Sequence, residues 1–183
     1  MEFDPAWYGP GVSRILALGE NGKRLLPLTW NQRPSEDVRS LLSNLQPAQI
    51  FPGAPEPRAA MAGLWLYFDC FDEAHQAADS CENPNGYFWQ AIVHRREGDS
   101  GNAAYWFRKT GAHPVYEPLA AEAAKIIHEF PKAEFRVGAW DPYAFVMFCE
   151  RAREQPASDQ ERAAQHIQRA EWQLLFDRCA RPR

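Results

Sequence analysis

The sequence lacks the features that mark several large classes of protein. No apolar run approaches the roughly 18–20 residues that span a bilayer, since the longest, Met61 to Phe71, is interrupted by Asp69. It has neither a glycine-rich phosphate loop nor a Gly-x-Ser-x-Gly nucleophile elbow. Lys and Arg total 20 against 24 for Asp and Glu, for a formal net charge of −4. We therefore expect neither a membrane protein nor a nucleic-acid-binding one, which would usually carry a basic face.

The cysteines and the start of the chain both bear on the cellular compartment. Cys70, Cys81, Cys149 and Cys179 form no Cys-x-x-Cys pair, so they lack the spacing of a zinc site or a disulfide framework. We expect free, mostly buried thiols. The opening Met-Glu-Phe-Asp-Pro has neither the positive start nor the apolar stretch of a signal peptide, which favours a cytoplasmic location.

The first 56 residues differ in composition from the rest of the 183-residue chain. They are rich in Pro and Gly and contain one helix signal, in which Pro34-Ser35-Glu36-Asp37 precedes apolar residues at helical spacing. The Asn21-Gly22 dipeptide allows either a hairpin or a helix end followed by a loop. We predict that residues 1–56 form an irregular N-terminal arm with one short helix, packed on a body of residues 57–183.

The pattern becomes helical from Pro57 onward. Apolar residues recur every three or four positions between Met61 and Phe71, and Asp99 and Ser158 stand where helix caps are expected. This indicates about seven helices joined mostly by short turns, which place successive helices antiparallel. The predicted fold is all-α, a stack of antiparallel helical hairpins like the α-α superhelix of tetratricopeptide proteins. Residues 57–81 and 87–110 are the two clearest hairpins. In the first, the second helix is predicted from Glu73 to Cys81, and the composition of Asn83-Pro84-Asn85-Gly86 predicts a turn after it.

The segment from Tyr87 to His113 is the most distinctive part of the chain. It contains the pattern His-Arg-Arg-Glu-x-Asp-x-x-Asn-Ala-x-Tyr-Trp-Phe-Arg-x-x-Gly-x-His-Pro, which begins at His94 and ends at Pro114. It resembles a family of uncharacterised bacterial and fungal proteins that carry such a segment, and the resemblance covers roughly residues 60–116. The resemblance implies tetratricopeptide-like helical hairpins, but it implies no activity, since members of the family have none assigned.

Ten residues in and around this segment are candidates for a binding site. His94 and Glu97 are three positions apart and share a helix face, while the neighbouring Arg95 and Arg96 leave in different directions. The candidates are His75, His94, Arg95, Arg96, Glu97, Asp99, Asn102, Tyr105, Arg108 and His113. One interpretation is a structural network of paired charges and caps that locks the hairpin.

Two functional interpretations of the same residues stay open beside the structural one. In the first, the chain is a peptide- or protein-interaction module. Its basic side chains clamp a carboxylate or phosphate in this interpretation, namely Arg95, Arg96, Arg108 and Lys109. In the second, it is a small-ligand or metal-dependent enzyme centred on His75, His94, Glu97 and His113, with the three histidines as ligands of a divalent metal. The first is preferred and needs no cofactor. The sequence does not specify an oligomeric state or whether the protein is catalytic.

Overall fold

The computed structural model describes residues 2–30 and 33–182, and this part of the chain contains α-helices and short 3-10 turns but no strand. Within these residues, the N-terminal arm has three α-helices and the body has seven. They are α1 (Gly9–Ala17), α2 (Glu36–Ser43), α3 (Pro47–Ile50), α4 (Pro57–Tyr67), α5 (Phe71–Asp79), α6 (Pro84–Glu97), α7 (Ser100–Thr110), α8 (Tyr116–Glu129), α9 (Pro142–Arg153) and α10 (Asp159–Ala180). Among these helices, none is both long and apolar enough to cross a membrane.

Polar side chains at the first turns explain where three of the body helices begin. The Asn83 side chain accepts the Gly86 N–H at the start of α6, and the Asp99 and Ser158 side chains accept backbone N–H groups at the starts of α7 and α10. Each such cap contributes about 1 kcal/mol to helix stability. Gly98 ends α6 with φ 85°, a left-handed conformation that favours glycine. These local signals fold the segment from Pro84 to Thr110 into two helices around a two-residue turn.

Two boundaries differ from the sequence prediction, and at Asn21-Gly22 the structure has one of the two alternatives left open, the helix end followed by a loop. The Asn83-Pro84-Asn85-Gly86 stretch is the capped first turn of α6 rather than a separate turn, because proline is well placed at the start of a helix. Helix α5 begins at Phe71 rather than Glu73, directly after Asp69 turns the chain with φ 60°. The Asn21-Gly22 dipeptide lies in a loop after α1 and forms no hairpin.

The body packs sequence neighbours together and closes them with the last helix. Helix α4 contacts α5, α5 contacts α6 and α6 contacts α7, while α10 packs on α4, α8 and α9. A methyl group added at Gly63 of α4 would lie 2.7 Å from the Trp89 ring, and the Trp172 indole N–H of α10 donates to the Gly63 carbonyl at 2.8 Å. A glycine therefore lets α4, α6 and α10 approach closely.

The N-terminal arm contributes to the same core as the body. Phe3 and Tyr8 pack against the ring of Phe176 in α10, with ring centroids 6.3 Å and 5.0 Å away. The buried Gln168 side chain donates to the Leu26 carbonyl at 3.1 Å. The four cysteines are free and buried, which confirms the expectation from their spacing.

Candidate functional site

Arg95 and Arg96 are both only 1% exposed and leave α6 toward different carboxylates. The Arg95 guanidinium forms two parallel bonds to Glu171 of α10, one of them 3.0 Å between Nη1 and Oε1, and lies 4.6 Å from the centroid of the Phe145 ring. Paired geometry of this kind is the strong form of an arginine–carboxylate bond. Arg95 therefore joins α6 to α10 and has no accessible face for an outside ligand.

Arg96 is the centre of a second buried network. Its guanidinium donates to Asp69 Oδ1 at 2.8 Å, to the Leu66 carbonyl at 3.1 Å and to the Pro27 carbonyl at 3.2 Å. Burial lowers the pKa of Arg96 to about 10, although the Asp69 carboxylate opposes that shift. Asp69 also accepts a bond from Arg24 of the arm at 2.9 Å. The Arg96 network thus ties the arm to the turn between α4 and α5.

The structure brings two of the three candidate histidines together. The His75 and His94 rings meet edge to face with their centroids 5.2 Å apart, and both side chains are half-buried. His94 Nδ1 lies 2.9 Å from Glu97 Oε2, as their spacing predicted. The buried Gln90 side chain donates from Nε2 to the His75 carbonyl at 3.1 Å, while its own oxygen has no hydrogen-bond partner.

His113 lies elsewhere, near the opposite end of α6. Its Nδ1 accepts the Val115 N–H at 3.3 Å, so the neutral ring carries its proton on Nε2 and donates to Asn85 Oδ1 at 3.1 Å. Burial, assisted by the Arg178 charge, lowers the pKa of His113 to about 4. Asn85 and His94 are separated by roughly 14 Å along the helix at 1.5 Å per residue. Within residues 2–30 and 33–182, no group of three or more His, Cys, Asp or Glu side chains is arranged to hold a metal ion.

The remaining candidates lie on α7 and its cap. Asp99 accepts the Asn102 backbone N–H at 2.9 Å and its side-chain amide at 2.7 Å, and these bonds lower the pKa of Asp99. Tyr105 and Arg108 are exposed further along the same helix. The ten candidates therefore separate into buried arginines, a histidine pair with Glu97, the isolated His113 and the solvent-facing residues of α7.

An ammonium group among aromatic rings distinguishes the outer side of α7. Lys109 Nζ lies 4.4 Å from the Tyr87 ring centroid, 4.6 Å from that of Trp106 and 5.8 Å from that of Tyr105. Tyr105 is 46% exposed, and its ring centroid is 5.3 Å from that of Trp106. We call this set, together with Arg108, the α7 face. Each cation–π contact of this kind contributes roughly 0.5–1 kcal/mol at an exposed site.

Several residues of these networks are absent from the candidate set drawn from sequence. Glu171 is separated from Arg95 by 76 positions, and no local pattern marks it as the partner. Arg24 lies in the arm, and the irregular composition of the arm gives no pattern that predicts its contact with Asp69. Lys109 directly follows Arg108, and the sequence does not show that its ammonium group lies close to three aromatic rings.

A groove lies away from all of these residues. Two adjoining cavities of about 460 and 250 Å³ share Pro47, Arg58 and Ser80 along one side of α3, α4 and α5. One includes the acidic residues Glu56 and Glu82, whereas the other is lined by apolar residues such as Trp65. The lining of this groove includes both acidic and basic side chains, so the groove favours no single class of ligand.

The family resemblance of the segment from Tyr87 to His113 stays a prediction from that segment alone. A scan against protein-family models, a search of curated proteins and a search of solved structures each find no match to this chain.

Proposed function

We propose that this chain is a helical interaction module that binds an acidic segment of a peptide or partner protein through the α7 face. The observation that carries the proposal is the position of the Lys109 ammonium over the rings of Tyr87 and Trp106, beside the exposed Tyr105. Tyrosine, tryptophan and arginine are the residues that most often dominate the binding energy of protein interfaces.

Charge complementarity favours an acidic partner. Arg108 and Lys109 are exposed in the last turn of α7, and neither forms an ion pair with another residue of the described chain. Asp99 starts the same helix, roughly 14 Å from Arg108 at 1.5 Å per residue. That distance exceeds the Debye length of about 8 Å at physiological salt, so Asp99 does little to neutralise the arginine.

Rigidity of the aromatic residues also supports the proposal. Fixing a flexible side chain on binding costs roughly 0.5–1.5 kcal/mol, and the ring contacts of Tyr105 and Trp106 reduce that cost in advance. An acidic residue that reaches Lys109 also meets the rings around it. The face therefore offers apolar area and positive charge to the same segment.

The tetratricopeptide-like stack is part of the same proposal. Its support is that α4, α5 and α6 each pack on the next helix in the chain. In such a stack, the chain's own α10 covers one side of α4 and reaches α6 through the Arg95–Glu171 pair. In this proposal a partner binds the exposed side of α7. It does not bind Arg95 or Arg96, because both are buried.

Selection from a displayed library of random short peptides tests the function. We expect the selected peptides to be rich in Asp and Glu next to an aromatic or leucine residue. Calorimetry should show that Tyr105→Ala and Arg108→Gln each lower the affinity for the best peptide by about tenfold or more. The control is Arg151→Gln, an exposed arginine on α9, which should bind like the wild type.

Two outcomes contradict the proposal. One is a set of selected peptides without acidic enrichment. The other is equal affinity of the best acidic peptide for wild type, Tyr105→Ala and Arg108→Gln. Both variants change exposed side chains, so circular dichroism should show an unchanged fold.

The histidine pair supports a second candidate, a small-ligand or metal-dependent catalytic site. The observation that favours it is the close approach of two half-buried imidazoles, one of them paired with Glu97. Calorimetric titration with Zn²⁺ tests it: one ion per chain is expected to bind to the wild type and to be lost in His75→Ala. The control His128→Ala removes an exposed histidine on α8, and equal Zn²⁺ binding by all three proteins contradicts the site.

A further inference from the structure

A small cavity lies where the arm meets the turn between α4 and α5. Its volume is about 270 Å³, and Arg24, Arg33 and Asp69 supply its charged lining. Apolar side chains, among them Leu18 and Phe68, form much of the remaining wall. The cavity is close to the small end of the range of roughly 300–1,000 Å³ found for ligand pockets, so it suits a small molecule.

The charges around this cavity do not balance. Arg24 and Arg96 share the single Asp69 carboxylate, at 2.9 Å and 2.8 Å, and Asp69 is itself buried. Arg33 adds a third guanidinium at the cavity and forms no ion pair with any residue that the structure describes. The Arg24 charge also contributes to lowering the pKa of Arg96, after the larger effect of burial. Arg24 and Arg96 therefore share one anion in a largely buried place, where incompletely paired charge is costly. Arg33 is exposed and adds a third positive charge to the lining of the cavity.

One donor of this cluster also lacks an acceptor. The Nε atom of Arg24 is buried and has no hydrogen-bond partner, although Nη2 of the same side chain bonds to Asp69 and to the Tyr67 carbonyl. Buried N–H groups are rarely left unpaired. The acidic residues nearest along the chain do not fill this role, since Glu20, Glu36 and Asp37 are exposed and Glu36 lies 3.9 Å from Arg39.

We propose that this cavity binds a small organic anion, whose carboxylate or phosphate group bonds Arg33 and Arg24 and whose apolar part contacts Leu18 and Phe68. An oxyanion supplies the negative charge that this cluster of guanidinium groups lacks. Carboxylate and phosphate share this chemistry, because both accept the forked N–H groups of a guanidinium. The site is separate from the α7 face and does not depend on the function proposed for it.

Calorimetry with three matched probes tests the proposal: phenyl phosphate, benzoate and the neutral benzyl alcohol. At least one anion should bind in a 1:1 ratio, and benzyl alcohol should not. The tighter of the two anions identifies phosphate or carboxylate as the preferred group. Arg33→Gln should weaken binding of that anion by about tenfold or more, because it removes a charge-assisted hydrogen bond.

The controls separate the anion group from the apolar group. Arg14→Gln removes an exposed arginine on α1 that has no ion pair in the described chain, and it should bind the anion as the wild type does. Leu18 is 60% exposed, so Leu18→Ala should leave the fold intact. This variant should lower the affinity for phenyl phosphate but not the affinity for inorganic phosphate.

Three results would overturn the anion site. These are no binding of either anion, equal binding of benzyl alcohol, and the same affinity for Arg33→Gln as for Arg14→Gln. Equal affinity of the wild type and Leu18→Ala for phenyl phosphate would overturn the apolar half of the proposal. Arg33 pairs with no described residue, so a folding defect does not obscure the comparison, and thermal melting of each variant checks this.

Discussion

Arg95 of α6 and Glu171 of α10 form a completely buried ion pair across 76 positions of the chain, held by two parallel hydrogen bonds. The pair connects the segment that looked most like a binding site to the last helix of the body. Its position means that Arg95 stabilises the packing of α10 instead of contacting solvent. The same relationship yields the first prediction.

Removing one partner of this pair should strongly destabilise the protein. We expect Glu171→Ala to lower the free energy of unfolding by about 3–5 kcal/mol, because it leaves a buried guanidinium without an anion. The double variant Arg95→Met, Glu171→Leu should recover most of that loss. Urea unfolding monitored by circular dichroism measures both. As a control, Lys125→Ala breaks an exposed pair with Glu122 and should cost about 1 kcal/mol or less, so a similar loss in Glu171→Ala would contradict the prediction.

The close approach at Gly63 should make this position intolerant of a side chain. Gly63→Ala places its methyl group 2.7 Å from the buried Trp89 ring and 3.1 Å from Phe176. Overpacking of this kind costs about 1–3 kcal/mol, partly offset by the roughly 1 kcal/mol that alanine gains over glycine in a helix. Gly138→Ala is the matched control, since no atom lies within 4 Å of its added methyl group. Equal thermal midpoints of the two variants would be inconsistent with this packing.

His113 should make stability depend on pH. Its folded-state pKa of about 4 lies below the unfolded value near 6.5, so the unfolded chain binds more protons between these two values. Stability from this group is therefore present above about pH 6.5 and is lost as the pH falls toward 4, by at most about 1.4 kcal/mol per unit. An NMR titration of the His113 ring should show a midpoint near 4, and unfolding of His113→Gln should show a weaker pH dependence. A midpoint above 6 would contradict the burial argument.

The four cysteines should be unreactive in the folded protein. All are buried, and burial raises the pKa of the Cys70 and Cys149 thiols to about 12, so very little thiolate exists at neutral pH. A thiol reagent such as Ellman's should label fewer than one cysteine per native chain within minutes and all four in urea. Rapid labelling of the native protein would show that one of these thiols is accessible.

Much of the helical architecture follows from short stretches of sequence. The Asp99 cap, Gly98 at the end of α6, and the Ser158 cap each depend on bonds within a few residues, so their effect is readable without the fold. The same holds for the contact of His94 with Glu97, which needs only one turn of helix. Where the prediction missed, as at Asn83-Pro84-Asn85-Gly86, the composition suited both a turn and a helix start.

The order of the residues was enough to establish that this chain is helical, where most of its body helices begin, and that His94 and Glu97 meet. Which carboxylate each arginine pairs with depended on the folded chain, because Glu171 and Asp69 reach Arg95 and Arg96 through the packing of separate helices. The separation of His113 from the other two histidines and the place of Lys109 among aromatic rings depended on it too. Hydrogen bonds within one helical turn depend on spacing alone, whereas buried charges find partners only where the folded core brings them together.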